Sequence, residues 1–355
     1  MIRWTVLAVL LVPGSLCADS LRVAVYDSEL RRDGPGILLR DIERGEAQVA
    51  AVVDVIASAH PDVLALLSFD WDHDGRALAA LARRLEAAGV SYPYLFSARP
   101  NAGMATGIDL DGDGRITGPG DAQGYGDYTG QGGLAVLSAY PIVEDGVRDF
   151  SGLRWRDLPW ARLPEAEGRP FPSELAQAVQ RLSSTNHWAV PIALPGGAEM
   201  TLLTFKATPP VFDGPEDRNG RRNHDEVMFW RHYLDGAFGP VPGRVVLAGG
   251  ANLDPFDSEG RRDAIAALLD DPRLADPAPE SAGAMERDDE AQRGPPAQDT
   301  VEWSFGRLRV DYVLPSTDWQ VLGSGVVWPG RGDPLRMSVE TASRHRLVWV
   351  DLDLP

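Results

Sequence analysis

The sequence predicts an α/β fold in a single domain. Short apolar segments of strand length alternate along the chain with segments whose apolar residues follow helical spacing. Hydrophobic residues make up 44% of the 355 positions and charged residues 24%, which is ordinary for a soluble globular protein and excludes a disordered, collagen-like or coiled-coil chain. No internal repeat is visible and the composition does not change sharply after residue 20, so we expect residues 19–355 to form one domain.

Apolar periodicity and turn residues place the elements in order. Strands are predicted at 21–26, 63–67, 134–137, 201–205, 244–248, 309–314 and 346–352. Helices are predicted near 49–56, 78–85, 222–236 and 264–269. Residues 100–133, rich in Gly and Asp, and residues 270–300, crowded with Asp, Glu, Pro and Arg, predict long surface loops, and residues 150–187 predict irregular structure.

Residues 1–18 predict a secretory signal peptide. Arg3 precedes an apolar run from Trp4 to Val12, and small residues follow up to Ala18, which is the order of such peptides. The run is too short to span a bilayer, and a buried first helix or strand is the less favoured alternative. We therefore expect a periplasmic or secreted protein whose mature chain begins at residue 19.

Charge and cysteine content limit the chemistry and the partners. The chain has 52 acidic and 34 basic residues, a net charge of −18, which argues against nucleic acid as a partner. Cys17 is the only cysteine, so neither an internal disulfide nor a cysteine metal site is expected. We expect a monomer without a membrane span, whose ligand or protein partner the sequence does not identify.

Polar residues follow several of the predicted strands. In α/β sheets, ligands bind beyond strand ends, where loops diverge. His345 precedes the last strand and would lie on the same rim if that strand runs antiparallel. The other residues at these ends are Asp27, Ser68, Asp70, Lys206 and the segment Gly249 to Asp254.

Several segments resemble the endonuclease/exonuclease/phosphatase family, most closely its exported bacterial members. The most specific are the run from Thr208 to Glu226 (TPPVFDGPEDRNGRRNHDE), the segment GQGGLAVLSAYPI and the segment LRVDYVLPS. The resemblance implies a deoxyribonuclease-like fold, a four-layer αββα sandwich of two mostly antiparallel sheets with helices outside. It also implies an ancestral reaction, the metal-assisted hydrolysis of a phosphate ester.

The resemblance places the family's functional positions on residues that have mostly changed. Asn252, Asp311 and His345 keep the family's residue types, and so does Asp254. By this correspondence, Asp27 stands for an Asn, Ser68 for the metal-binding Glu, Lys206 for a His, Gly250 for the Asp of Gly-Asp-x-Asn, and Arg344 for the Asp of Ser-Asp-His.

These replacements predict that the catalytic Mg²⁺ or Mn²⁺ is lost. Ser68 is a neutral, poor ligand, and Lys206 and Arg344 bring positive charge towards the cation position. Two like charges 4 Å apart repel by about 4 kcal/mol at an effective dielectric constant of 20. His345 is expected to lose the aspartate that would orient it.

We therefore interpret the chain as a catalytically inactive family member that binds a ligand or partner through the former active-site cleft. The alternative is a phosphoesterase (phosphodiesterase, nuclease or phosphatase) with altered metal use, and a third class is a calcium-stabilised scaffold. Arg344 could instead pair with Asp311 or Asp27 as a salt-bridged plug. Lys206, Arg344 and Asn252 could also hold a phosphate or sulfate directly.

Residues 109–121, DLDGDGRITGPGD, predict a structural calcium ion. Asp109, Asp111 and Asp113 fall at positions 1, 3 and 5 of an EF-hand-like loop, and a Gly follows at position 6. Arg115 could offer its carbonyl at position 7, and Asp121 comes one residue after position 12. No helical pattern flanks the loop, so the motif is partial, and a flexible acidic turn is the alternative.

Overall fold

Two β-sheets pack face to face, and helices cover their outer faces. The computed structural model describes residues 20–286 and 291–354, so the predicted signal peptide lies outside the described residues. The strands are β1 (Ser20–Asp27), β2 (Val63–Phe69), β3 (Tyr94–Phe96), β4 (Gly133–Ser138), β5 (Arg148–Asp149), β6 (Glu165–Ala166), β7 (Arg169–Pro170), β8 (His187–Ala193), β9 (Glu199–Lys206), β10 (Val245–Gly250), β11 (Val301–Trp303), β12 (Gly306–Leu308), β13 (Asp311–Pro315), β14 (Val321–Val326) and β15 (Val348–Asp353). The helices are α1 (Ile37–Arg44), α2 (Ala47–Ala59), α3 (Arg76–Ala87), α4 (Glu174–Val179), α5 (Arg218–Leu234), α6 (Asp263–Leu269) and α7 (Arg336–Ala342).

Each large sheet contains one parallel pair in an otherwise antiparallel ladder. The first sheet has the order β14-β15-β1-β2-β4-β3, and β1 and β2 are its parallel pair. The second has the order β13-β10-β9-β8-β5, and β9 and β10 are its parallel pair. Strands β11 and β12 form a separate hairpin, and so do β6 and β7. The predicted class, an α/β sandwich with mostly antiparallel sheets, is confirmed.

Side-chain alternation along the second sheet defines the layers. On β10, Val246 and Ala248 lie in the core between the two sheets, whereas Val245 and Leu247 pack in the core that includes α5 and α6. Successive side chains of a strand point to opposite faces, so this alternation requires a cover on both sides. Helices α1, α2, α3 and α7 contribute to the core of the first sheet, which completes the four layers.

All the predicted strands and helices occur, with ends shifted by a few residues. The predictions missed α1, α4, α7, the interior strand β8, the strand β14 and the short strands β3, β5, β6, β7, β11 and β12. Pro191 argues against a strand at β8 in the sequence, because proline has no N–H to donate to a neighbouring strand. Its partner β5 is only two residues long and pairs with Trp188 and Ala189, so Pro191 lies beyond that short strand.

The topology brings the predicted polar residues to one edge. The carboxyl ends of parallel β1 and β2 carry Asp27 and Ser68, and the carboxyl end of β9 carries Lys206. Strand β15 runs antiparallel to β1, so the residue His345 that precedes it lies at the same edge, as predicted. Strand β13 runs antiparallel to β10 and begins with Asp311, which pairs with Gly250.

The long loop over residues 101–132 is fixed by hydrogen bonds to other parts of the chain. The Asn101 amide donates to the carbonyls of Ser151 and Ser183 at 2.7 and 2.8 Å. Gly103 has a left-handed φ of 69°, and a Cβ there would lie 1.8 Å from the carbonyl oxygen of Tyr128.

Within the described residues, no helix has both the length and the apolar character needed to cross a membrane.

Candidate functional site

A backbone irregularity at the end of β2 positions Ser68. The register of β2 with β4 shifts between Leu67 and Phe69, and Ser68 between them has a left-handed φ of 54°. Such bulges re-aim a side chain at a strand end, and a non-glycine residue in this region is strained. Ser68 is buried, and its hydroxyl accepts a hydrogen bond from the Lys206 ammonium.

Lys206 joins the two sheets at the shared strand edge, where it contacts Asp27 and Ser68, and we call the region around these residues and His345 the cleft. Its Nζ lies 2.6 Å from Asp27 Oδ2, and its side chain is 21% exposed while that of Asp27 is 1% exposed. Burial alone would raise the pKa of Asp27, but the Lys206 ammonium and the nearby His345 lower it well below its usual value. Lys206 therefore does not point into water, and it forms a buried ion pair with Asp27.

The structure corrects the prediction that His345 loses its orienting aspartate. His345 Nδ1 lies 2.8 Å from Asp311 Oδ2, and the Thr300 hydroxyl donates to the same oxygen at 3.0 Å. Its Nε2 lies 3.8 Å from Asp27 Oδ2. Burial lowers the pKa of His345, but Asp311 and Asp27 more than offset this, and the pKa is raised above its usual value. The antiparallel pairing of β13 supplies this partner in place of the residue at 344.

Arg344 does not fill the metal position, and the predicted plug with Asp311 or Asp27 is wrong. Its Nε donates to Glu29 Oε1 at 2.9 Å, and its backbone N–H donates to Glu29 Oε2 at 2.9 Å. The Arg344 side chain is 57% exposed. Sequence reasoning missed Glu29, although it is an acidic residue two positions beyond β1, on the same rim as Asp27.

Asn252 and Gly250 shape the side of the cleft formed by β10. Asn252 adopts a left-handed φ of 50°, and its amide donates to the Ala207 carbonyl at 2.7 Å, so it holds two loops together. A Cβ at Gly250 would lie 3.1 Å from Leu67 Cδ1 and 3.4 Å from Asp311 Oδ1. This Asp311 oxygen is buried and has no hydrogen-bond partner within residues 20–286 and 291–354.

Two other acidic residues at the strand ends, Asp70 and Asp254, serve the loops. Asp70 accepts hydrogen bonds from the Tyr128 hydroxyl at 2.6 Å and from the Gly132 N–H at 2.8 Å. Asp254 accepts from the Phe256 N–H at 2.7 Å, and from the backbone of two further residues. Neither joins the group around Lys206 among the contacts of the described chain.

A buried polar network behind the cleft holds the backbone of Lys206. The Thr185 hydroxyl donates to the Lys206 carbonyl at 2.6 Å. Glu226, fully buried on α5, accepts from the Ser184 hydroxyl at 2.7 Å and from the Thr208 N–H at 2.7 Å. The block from Thr208 to Glu226 therefore acts on this side as a structural element that positions the end of β9.

An aromatic pair lies beside His345, and sequence reasoning missed it. The Trp303 ring meets the His345 ring edge-on with centroids 5.8 Å apart, and Phe305 stacks on Trp303 at 5.3 Å. Phe305 is 75% exposed at the tip of the β11–β12 hairpin. The alternating aromatics of the sequence WSF were the only available signal.

A protein cation lies beside Ser68, the position that the resemblance assigns to a metal-binding Glu. The Lys206 ammonium contacts both Asp27, at the end of β1, and Ser68, near the end of β2. The resemblance places an Asn and a metal-binding Glu at these two positions. In the described part of the chain, the only group of three convergent metal-binding side chains lies in the acidic loop, at Asp109, Asp111 and Asp121.

The acidic loop differs in detail from its predicted ligand set. Oxygens of Asp109, Asp111 and Asp121 lie within 4.8 Å of one another. Asp113 lies outside this group, and its Oδ1 accepts from the Arg115 N–H at 2.7 Å. Burial raises the pKa of Asp121, and the neighbouring carboxylates raise it further.

A fold of two sheets with polar groups at a shared strand edge defines an α/β sandwich of the phosphoesterase type. Residues 33–345 match the model of the Endonuclease/Exonuclease/phosphatase family, and the chain belongs to this family. A search of curated proteins by sequence finds no match.

Solved structures agree on the fold. An endonuclease/exonuclease/phosphatase from Beutenbergia cavernae is 18% identical, with a TM-score of 0.54 over 94% of this chain and 72% of that one. Family proteins from Leptotrichia buccalis and Bacteroides thetaiotaomicron are each 14% identical, with TM-scores of 0.51 over 94% of this chain and 99% and 97% of theirs.

Proposed function

We propose that this family member has lost metal-dependent phosphoester hydrolysis and binds a ligand in the former active-site cleft. The observation that carries the proposal is the position of the Lys206 ammonium, 2.6 Å from Asp27 Oδ2 and hydrogen-bonded to Ser68. A fixed cation here repels a divalent ion and already neutralises the Asp27 carboxylate. Ser68 and Gly250 add no charged oxygen to compensate.

The test is a phosphoester assay on the purified chain with Mg²⁺, Mn²⁺ or Ca²⁺. With bis(4-nitrophenyl) phosphate and 4-nitrophenyl phosphate, we expect no turnover that EDTA removes. The matched variant carries Ser68→Glu, Lys206→His, Gly250→Asp and Arg344→Asp, and we expect it to gain EDTA-sensitive turnover. The Cβ that Gly250→Asp introduces would lie 3.1 Å from the flexible end of Leu67. Robust EDTA-sensitive turnover by the natural chain contradicts the proposal.

The charge pairing in the cleft favours an uncharged or zwitterionic ligand. Each cationic side chain is matched by a carboxylate, so a phosphate or sulfate would have to displace a partner that is already close. The exposed ring of Phe305 and the neighbouring Trp303 offer an apolar wall. The pairs are Lys206 with Asp27 at 2.6 Å, Arg344 with Glu29 at 2.9 Å and His345 with Asp311 at 2.8 Å.

Titration with inorganic phosphate and with sulfate tests this ligand class. We expect neither anion to raise the melting temperature or to give calorimetric binding in the micromolar range. Micromolar binding of phosphate that Lys206→Met abolishes would show instead that the cleft is an anion site.

A second candidate is phosphoester hydrolysis without a metal. The observation that favours it is the His345–Asp311 pair at 2.8 Å, which orients the imidazole as a general base requires. The Lys206 ammonium would then face the phosphoryl oxygens. This candidate predicts turnover that EDTA does not affect and that His345→Gln abolishes, measured with the same two substrates.

Export to the periplasm or the medium stays a prediction, because it depends on residues outside the described part of the chain. N-terminal sequencing of the protein recovered from a bacterial periplasm tests it. We expect the sequence to begin at Asp19, and an intact Met1 would contradict cleavage.

A further inference from the structure

We propose that Phe212 and the carboxylates beside it form a docking surface for a second protein, one that carries a basic patch around an apolar pocket. Phe212 lies in the segment of residues 207–217, which follows β9 and precedes α5. It is 89% exposed, the highest value for a large apolar residue within residues 20–286 and 291–354. The surface includes none of the side chains around Lys206, and its role does not depend on the ligand proposed for the cleft.

The backbone of Phe212 adds a second cost to this exposure. Its φ is 67°, and in the described part of the chain it is the only Phe, Tyr or Trp in the left-handed region. In that region the Cβ lies too close to the following carbonyl oxygen. An apolar ring in water and a strained backbone both lower stability, so the residue does not serve the fold of the isolated chain. Residues that carry such costs cluster at binding sites.

Helix α5 holds the segment on both sides of Phe212. The Asn219 side-chain amide donates to the Val211 carbonyl at 2.8 Å, and the Asn219 N–H donates to Asp213 Oδ2 at 2.5 Å. Further back along the segment, the Thr208 N–H donates to a carboxylate of the same helix at 2.7 Å. A fixed backbone therefore presents the ring, so binding does not have to order the segment first.

The segment after β10 extends the apolar surface. Arg261 Nε donates to Asp217 Oδ2 at 2.8 Å, which joins this segment to the start of α5. The two segments also meet closely, since a Cβ at Gly260 would lie 2.6 Å from Pro210 Cβ. Phe256 of the same segment is 46% exposed. Two exposed aromatic residues on joined segments are typical of the core of a protein interface.

The charge of the segment defines the chemistry of the partner. Residues 207–217 contain Asp213, Glu216 and Asp217 and no basic residue. Among the described residues, only Asp217 of these three forms an ion pair. The guanidinium of the following Arg218 donates to a backbone carbonyl instead. Two carboxylates without an ion pair, beside an exposed ring, attract a basic protein surface.

The same charge argues against other occupants of this surface. Carboxylates repel the phosphates of nucleic acid and of anionic lipids. A second copy of this chain, with a net charge of −18, is repelled as well. A basic protein surface is the occupant whose charge complements the segment.

The first measurement is the melting temperature of Phe212→Asn. Asn tolerates left-handed backbone and is polar, so we expect a melting temperature about 1–2 °C above that of the natural chain. Phe305→Asn is the matched control, because Phe305 is 75% exposed but stacks on Trp303 at 5.3 Å, and its melting temperature should fall. A fall for Phe212→Asn would show that the ring supports the fold, and it would overturn the docking role.

The second measurement selects binders of the full chain from a phage library of random disulfide-closed peptides. We expect enriched peptides with a net positive charge and apolar residues. Their affinity should fall at least about tenfold for Phe212→Asn and at least about threefold for Asp213→Asn combined with Glu216→Gln. Met337→Asn is the matched control, since Met337 is 77% exposed on α7, and it should change the affinity by less than about twofold.

Three results of the binding measurements would overturn the docking surface. A selection without enrichment would count against any such surface. Peptides that bind Phe212→Asn as tightly as the natural chain would place the contact elsewhere. Binding of phosphatidylcholine vesicles with the same dependence on Phe212 would identify a lipid surface in place of a protein partner.

Discussion

Replacing Lys206 by methionine should strongly destabilise the protein. The change keeps the apolar stem but removes the ammonium that lies 2.6 Å from Asp27 Oδ2, and it leaves a carboxylate that is 1% exposed. At an effective dielectric constant of 20, two charges at this separation attract by about 6 kcal/mol. Breaking a buried pair by removing one partner costs about 3–5 kcal/mol, and we expect a loss of this size in the free energy of unfolding.

A double-mutant cycle measured by urea unfolding at pH 7 isolates this pair. Asp27→Asn combined with Lys206→Met removes both charges, so the double variant should recover most of the loss and lie within about 2 kcal/mol of the natural chain. Arg344→Met is the matched control, because it removes a cation of the same rim that is 57% exposed. This control should cost less than about 1 kcal/mol.

The pH dependence has a defined sign. In the natural chain, the pKa of Asp27 is lowered, so the stability that it contributes is present above its unfolded pKa of 3.8 and is lost as the pH falls through the folded value. In Lys206→Met, the unpaired buried carboxyl takes up a proton more readily, so the deficit should shrink between pH 7 and pH 4. A deficit below about 1 kcal/mol at pH 7, with additive single changes, would refute the buried ion pair.

Three further predictions concern other strained or titrating positions. Because the pKa of His345 is raised, its contribution to stability is complete below about pH 6.5 and is lost as the pH rises through the folded value. In urea unfolding, the free energy of unfolding of His345→Gln should therefore approach that of the natural chain towards pH 9. Burial raises the pKa of Asp299 to about 7, so its ionisation should destabilise the natural chain as the pH rises from 4 to 7. Asp299→Asn should lose less stability than the natural chain between pH 4 and pH 7 and should be more stable than it at pH 8, and a parallel pH profile would contradict this. Gly103→Ala should lower the melting temperature by several degrees, because its Cβ would lie 1.8 Å from the Tyr128 carbonyl, whereas Gly107→Ala, with a similar φ and open space, should lower it less.

Much of the fold followed from local patterns. Helical spacing around Val52 and apolar runs such as 63–67 depend on neighbours within one or two turns, and the structure contains α2 and β2 there. The rim was predictable because strand ends collect polar residues. Strand β8 was missed because Pro191 masks a pairing that depends on the length of β5.

The roles within the cleft depended on contacts between distant residues. Lys206 bonds Ser68 across 138 positions, and Arg344 bonds Glu29 across 315. Arg344 and His345 are adjacent in sequence but find different partners, Glu29 and Asp311. The backbone bends at Arg344, whose side chain lies on the exposed rim, whereas the His345 side chain is buried.

The sequence by itself determined the family and the layered α/β fold, since these reside in residue types and local periods. Only the tertiary structure decided which cation pairs with Asp27. A sequence specifies the sign of each charged side chain but not where that side chain lies. The packing of β1 and β2 against β9 places the ammonium of Lys206, and not the guanidinium of Arg344, beside Asp27.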